Sequence, residues 1–186
     1  VRQYIHLGFN LAESGSGKVF EGAYPHIGGG MMPLNLRFAQ PGRAWGGEVD
    51  HLFPAYDFPF TYARQTDPLT GRTQGLLDRC TANDTCPRIF HVATALEIWE
   101  GRQSLGLTDP LGRRDIPDPD NVRTYIMAST QHSAAALPLA NALPAGTCAM
   151  QPNPNPHTWT MRALLAAFRQ WLQDGKEPPK SALPRI

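Results

Sequence analysis

The sequence lacks an excess of charge of either sign. Seventeen Lys and Arg residues stand against 16 Asp and Glu residues, which gives a formal net charge of +1. Proteins that hold nucleic acid by its phosphates usually carry a basic patch or stripe, and no such stripe runs along this chain. The composition therefore predicts no nucleic-acid partner.

Long apolar runs are also missing. A helix that crosses a bilayer needs about 20 consecutive apolar residues, and no stretch of the sequence approaches that length. The chain opens on Val1 rather than Met and shows no signal-peptide layout. We expect no membrane span, and we expect a chain that starts partway through a helix ending at Gly8, a residue suited to a left-handed cap.

Cysteine is scarce, with three residues in the chain. Cys80 and Cys86 bracket a short polar turn, a spacing that favours a small disulfide loop over two free thiols, and Cys148 is left over. A zinc site needs about four ligands at finger-like spacing, and His91 alone does not complete such a set. We therefore expect no metal and no cofactor. The disulfide favours a periplasmic or secreted location over the cytoplasm.

Four segments of the chain carry a clear pattern of apolar residues. They predict strands at 18–24, 88–93 and 122–128 and a helix at 160–174, whose apolar face comprises Met161, Leu164, Leu165, Phe168, Trp171 and Leu172. Long connections between strands indicate a parallel sheet. The predicted fold class is therefore α/β, with parallel strands flanked by helices.

The remainder of the chain is rich in loops. Eighteen prolines and 17 glycines indicate ordered irregular segments between few regular elements. Residues 31–79 show little periodicity, and a segment that long is typical of a cap or lid-like insertion. Because three strands form a poor sheet on their own, residues 1–186 are predicted to be a partial domain.

An acidic residue and a histidine follow successive predicted strands. Glu97 comes after the strand at 88–93, and His132 comes after the strand at 122–128. Catalytic groups in α/β sheets gather beyond the carboxyl ends of the strands, and acid followed by histidine is the order found in α/β-hydrolases. The alternatives are an ordinary loop histidine and a solvated glutamate, with Asp109 and then Glu100 as other candidate acids.

The nucleophile of such a triad is missing. A nucleophile elbow reads Gly-x-Ser-x-Gly, because a strained strand-to-helix turn requires small residues. None of the serines fits that spacing; they are Ser14, Ser16, Ser104, Ser129, Ser133 and Ser181. His26, His51 and His91 lie at spacings that match no local metal motif. They are expected to be packing residues, or, for His26 and His51, residues that line the substrate pocket.

Several phrases of the sequence point together to one family. They include Leu7-Gly8-Phe9-Asn10, Phe58-Pro59-Phe60-Thr61-Tyr62, Glu97-Ile98-Trp99, Thr130-Gln131-His132 and Asn153-Pro154. In this order, across essentially the whole chain, they resemble a largely uncharacterised bacterial family of α/β-hydrolase domains whose members are commonly exported. The resemblance implies that the chain is the C-terminal part of the hydrolase domain.

The resemblance also implies roles for individual residues. A Gly-x-Ser-Gln-Ser-Gly-like elbow lies upstream of the Leu-Gly-Phe-Asn phrase in that family, so the nucleophile is expected just before Val1. His132 matches the family's Thr-Gln-His directly. Glu97 matches the acid of a Thr-Glu-Tyr-Trp-like phrase, with Leu96 in place of Thr and Ile98 in place of Tyr.

The implied reaction is hydrolysis of a small carboxylic ester through an acyl-enzyme. Residues 31–79, with Phe58 and Phe60 among their aromatics, would form a cap that shapes an apolar pocket. The chain would need the N-terminal remainder of its own domain and be inactive alone. Two alternatives stay open: a non-catalytic binding or structural domain that keeps the pocket, and a metal-dependent hydrolase that uses His and Asp.

Overall fold

The computed structural model describes residues 1–28, 58–99, 101–139 and 150–186. In chain order its elements are helix α1 (Arg2–His6), strands β1 (Gly22–Ala23), β2 (Gln65–Thr66) and β3 (Thr73–Gln74), helix α2 (Asp78–Ala82), strand β4 (Arg88–Thr94), helix α3 (Ala95–Trp99), a 3-10 helix (Gln103–Gly106), strand β5 (Val122–Met127) and helix α4 (Thr158–Asp174). None of these helices is long and apolar enough to cross a membrane.

The central sheet has three parallel strands in the order β1-β4-β5. Strands β4 and β5 pair over six residues, from Ile89 opposite Val122 to Thr94 opposite Met127. Strands β2 and β3 form a separate antiparallel hairpin. A parallel sheet flanked by helices confirms the predicted α/β class.

Side chains of the sheet alternate between two apolar layers, because successive residues of a strand point to opposite faces. On one face, Ile89 and Val122 pack with Ile5 of α1 and Cys80 of α2. On the other face, a larger aromatic cluster packs against α4; it comprises Phe90, Val92, Tyr125, Met127, Phe168 and Trp171. Burial of these apolar side chains is the main driving force for the fold.

Part of the predicted insertion at 31–79 belongs to the first of these layers. Tyr62, Leu76 and Leu77 are buried there beside Ile5 and Ile89. Cys80, which follows this segment, is joined to Cys86 by a disulfide, with Cα atoms 4.7 Å apart. Residues 31–57 lie outside the described residues, so the cap stays a prediction.

Strand β1 is much shorter than the strand predicted at 18–24. The side chain of Asn10 hydrogen-bonds both backbone groups of Phe20. Its Nδ2 donates to the Phe20 carbonyl at 2.9 Å, and the Phe20 N–H donates to its Oδ1 at 2.8 Å. These bonds replace ladder bonds that a longer strand would make. Gly22 then lies so close to α4 that an added Cβ would stand 2.7 Å from Phe168 and Leu172.

Helix α4 starts two residues before the predicted helix at 160–174 and ends where it was expected. Phe168 and Trp171 are buried, while Leu165, on the predicted apolar face, is exposed. Gly175 ends the helix with φ +67°, a left-handed conformation that glycine adopts without strain. The chain then returns to β5, where Ala182 pairs in parallel with Tyr125.

Candidate active site

The ends of β4 and β5 lie side by side at one edge of the sheet. Thr94 and Met127, the last residues of these strands, are partners in the ladder. Glu97 follows Thr94 within α3, and His132 follows Met127 in the next loop. Because both strands run in the same direction, the two predicted site residues leave the sheet at the same edge.

Glu97 and His132 are in direct contact. The Nδ1 atom of His132 lies 2.7 Å from Oε1 of Glu97. The glutamate is 2% exposed, whereas the histidine side chain is 61% exposed. A buried carboxylate thus holds one edge of an imidazole ring whose other edge is open to solvent.

Thr94 holds the second oxygen of Glu97. Its backbone N–H donates to Oε2 at 2.7 Å, and its hydroxyl donates to the same oxygen. Burial raises the pKa of Glu97, but the hydrogen bonds from Thr94 and His132 outweigh burial, and the net pKa lies below the ordinary value. Glu97 is therefore an ionised carboxylate at neutral pH.

The ionised carboxylate fixes the tautomer of His132. A carboxylate can only accept hydrogen bonds, so the proton of the neutral imidazole stands on Nδ1, facing Glu97. The Nε2 atom then carries the lone pair, and it has no hydrogen-bond partner within the described parts of the chain. This is the arrangement that a general base requires.

Asn153 holds the loop that carries His132. Its side-chain Nδ2 donates to the Ser129 carbonyl at 2.6 Å, and its backbone N–H donates to Gln131 Oε1 at 3.1 Å. Its carbonyl accepts the N–H of Ala135 at 2.9 Å. The loop is thus tied on both sides of His132 to a residue about 20 positions later.

His132 opens onto a cleft of about 670 Å³. The described residues that line it are Tyr24, His26, His132, Ser133, Ala134, Pro156, His157, Thr158, Met161, Arg162 and Leu165. His26 lies beyond β1 and stands edge-to-face with His157, with ring centroids 6.0 Å apart. Burial, followed by the charge of His157, lowers the pKa of His26.

Comparison with known proteins agrees with this geometry. A family model described as an alpha/beta hydrolase domain matches residues 1–186. The chain belongs to the α/β hydrolase domain family. Neither the curated proteins nor the solved structures contain a match. Membership confirms the family predicted from the sequence phrases and supports a general hydrolase that acts on a small molecule.

Asp109, an alternative acid of this α/β hydrolase domain, is engaged elsewhere in the described structure. Oδ1 of Asp109 accepts the backbone N–H groups of Arg113 and Arg114, at 2.6 and 2.9 Å, within its own turn. Glu100 lies outside the described residues. Glu97 is the described acid that contacts His132.

The predicted pocket aromatics lie away from the described walls of the cleft. Phe58 is buried and its ring meets that of Phe60 edge-to-face, with centroids 6.2 Å apart. The Phe60 carbonyl accepts a hydrogen bond from Arg2 at 2.8 Å. A substrate-binding role for Phe58 and Phe60 stays a prediction, and His51 lies outside the described residues.

His91 is a buried structural residue of the hydrolase domain. Its Nδ1 lies 3.2 Å from the Tyr62 hydroxyl, and its Nε2 lies 2.8 Å from the Gly28 carbonyl. Burial, and then the charge of Arg2, lowers the pKa of His91 to about 3. Within the described parts of the chain, no group of three or more His, Cys, Asp or Glu residues could hold a metal ion.

Proposed function

We propose that this α/β hydrolase domain belongs to a serine hydrolase that cleaves carboxylic esters. The observation that carries the proposal is the 2.7 Å contact between Glu97 and His132 beyond the ends of adjacent parallel strands. A buried carboxylate, an imidazole held in one tautomer and an open Nε2 are the base half of a catalytic triad. In this proposal the serine belongs to the part of the protein that precedes Val1, as the family resemblance implies.

The reaction follows from this arrangement. Nε2 of His132 takes the serine proton while the serine oxygen attacks the ester carbonyl carbon. The imidazolium, stabilised by Glu97, then gives that proton to the departing alcohol, which leaves an acyl-enzyme. Water repeats the two steps, releases the carboxylic acid and restores the serine. Backbone N–H groups of the upstream segment would stabilise the oxyanion.

The proposal is tested on the full-length protein with a fluorophosphonate probe and with 4-nitrophenyl butanoate. The wild type should label and hydrolyse the ester, and His132→Ala should lose both. Replacing the acid of a triad by its amide costs up to about 10⁴-fold in kcat, so Glu97→Gln should lose at least a hundredfold. Asp109→Asn is the matched control, and its activity should stay within twofold of the wild type.

Three outcomes would contradict the proposal. Ester hydrolysis by a full-length protein that resists the probe excludes a serine nucleophile. Activity that a chelator abolishes supports the metal-dependent alternative, and a protein that neither labels nor hydrolyses esters supports the non-catalytic one. The 186-residue chain by itself should neither label nor turn over.

A further inference from the structure

The cleft beside His132 combines cationic and hydrogen-bonding groups with an apolar wall. Three histidines and an arginine stand around it, next to two apolar residues of α4; these residues are His26, His132, His157, Arg162, Met161 and Leu165. None of the described residues that line the cleft is acidic. Glu97 is buried and already accepts hydrogen bonds from His132 and Thr94.

Arg162 supplies the permanent positive charge of the cleft. Its guanidinium stands over the ring of Trp159, 5.5 Å from the centroid, a contact that restricts its orientation. Within the described residues it forms no ion pair. Its planar set of N–H donors therefore remains available to an anion that enters the cleft.

His157 supplies a buried polar atom in the same place. Its Nε2 is buried and has no hydrogen-bond partner in the described structure. A buried polar atom without a partner is unfavourable, and the ring of His157 lines the cleft, so turning the ring toward a polar group bound there would satisfy Nε2. His157 is also the N-cap of α4, whose first turn contains no acidic residue, and the positive end of that helix dipole adds to the attraction for an anion.

Given the proposed ester hydrolysis, we propose that the substrate carries a carboxylate at the end remote from the ester bond. Arg162 and His157 bind this carboxylate, and the short chain between the two ends lies against Met161 and Leu165. The ester carbonyl is thereby directed toward His132. A carboxylate fits because its two oxygens match the fork of one guanidinium, and because Met161 and Leu165 offer apolar surface to the chain that joins it to the ester.

The proposal is tested with two esters that differ in charge and by one methyl group. 4-Nitrophenyl hydrogen glutarate carries a free carboxylate, and 4-nitrophenyl methyl glutarate is its neutral counterpart. The full-length protein should hydrolyse the charged ester with at least tenfold higher kcat/KM. Arg162→Gln should reduce this preference below threefold. Arg169→Gln, an exposed arginine of the same helix, is the matched control and should keep the preference.

A binding measurement separates this inference from the proposed function. Glutaramate, with one carboxylate and one amide, and glutaramide, which is neutral, are titrated calorimetrically into the full-length protein. Glutaramate should bind at least fivefold more tightly, and Arg162→Gln should remove the difference. If neither ester is hydrolysed and this pattern holds, the proposed function fails and the carboxylate site stands. Equal binding of both amides, or a preference that survives Arg162→Gln, overturns the site even if neutral esters are hydrolysed.

Discussion

At the scale of single residues, hydrogen bonds from Thr94 orient the carboxylate of Glu97 and help to lower its pKa. Two hydrogen bonds from Thr94 end on Oε2 of Glu97 and leave Oε1 to His132. These bonds also help to hold the pKa of Glu97 low against the effect of burial. In the proposed mechanism Thr94 is thus a positioning residue, because it would act on the substrate only through Glu97 and His132.

Thr94→Val should weaken this positioning without changing the shape of the side chain. The variant keeps the backbone N–H bond and loses the hydroxyl bond, so the pKa of Glu97 should rise. A hydrogen bond to a charged group contributes about 1.5–3 kcal/mol, so kcat/KM should fall about tenfold. The acid limb of the pH profile of kcat/KM should move to higher pH. Steady-state kinetics of the full-length protein from pH 4 to 8 measure both changes.

Thr94→Ser separates this role from simple packing. Serine restores the hydroxyl and lacks only a methyl group, so it should recover most of the activity and the wild-type acid limb. If Thr94→Val loses activity with an unchanged pH profile, Thr94 contributes through packing, and the account of Glu97 is wrong.

The sequence predicted Glu97 and His132 but not Thr94 or Asn153. Glu97 and His132 are separated by 35 residues. Each follows a strand with a clear apolar pattern, so the order of strand, acid, strand and histidine was enough to predict that they lie together. Thr94 and Asn153 matter through the partners that the fold gives them. Nothing in local composition indicates those partners, although Asn153 lies within one of the phrases that pointed to the family.

At the scale of elements, β4 and β5 are the parts that the sequence predicted best. They are buried apolar runs, and the pattern places them within one residue of the observed bounds. Strand β1 and helix α4 depart from what the pattern of apolar residues predicted. Asn10 competes for the backbone of Phe20 and shortens β1, and Leu165 lines the cleft instead of the core. Both departures arise from tertiary contacts.

Asn153 supports the loop between β5 and α4 that carries His132. Asn153→Ala removes the hydrogen bond from Nδ2 to the Ser129 carbonyl, and with it part of the support of the His132 loop. We expect a loss of about 1 kcal/mol in the free energy of unfolding and a fall of about tenfold in kcat with little change in KM. Urea unfolding and steady-state kinetics of the full-length protein measure these effects.

Asn155 provides the matched comparison for this loop. Its Nδ2 donates to the same carbonyl over a longer distance, 3.1 Å. Asn155→Ala should therefore have a smaller effect on kcat than Asn153→Ala. An Asn153→Ala variant with wild-type kcat would show that the loop holds His132 without this residue.

At the scale of the whole molecule, His91 connects three parts of the fold. It lies on β4, contacts the Gly28 carbonyl beyond β1, and contacts the Tyr62 hydroxyl in the segment that leads to the hairpin. The residues that these two bonds tie down stand on either side of segment 29–57 in the chain. Burial of an uncharged imidazole at this junction makes the stability of the fold depend on pH.

The sign of that dependence follows from the pKa of His91. The pKa of His91 is about 3 in the folded protein, against the ordinary value of 6.5 that we take for the unfolded chain. Between these values the unfolded chain binds a proton that the folded protein does not, so stability falls as pH falls. From pH 7 to 5.5 the free energy of unfolding should decrease by about 1 kcal/mol through His91 alone. This range lies above the pH at which Glu97 titrates.

His91→Gln should remove most of this loss, because glutamine can keep both hydrogen bonds and does not titrate. Urea unfolding of the full-length protein at pH 7 and pH 5.5 gives the difference for each variant. His6 and His26, whose pKa values are also lowered, chiefly by burial, should leave a smaller residual dependence. If His91→Gln loses as much stability as the wild type between the two pH values, another group carries the effect. The junction at His91 then stabilises the fold by packing and hydrogen bonding alone.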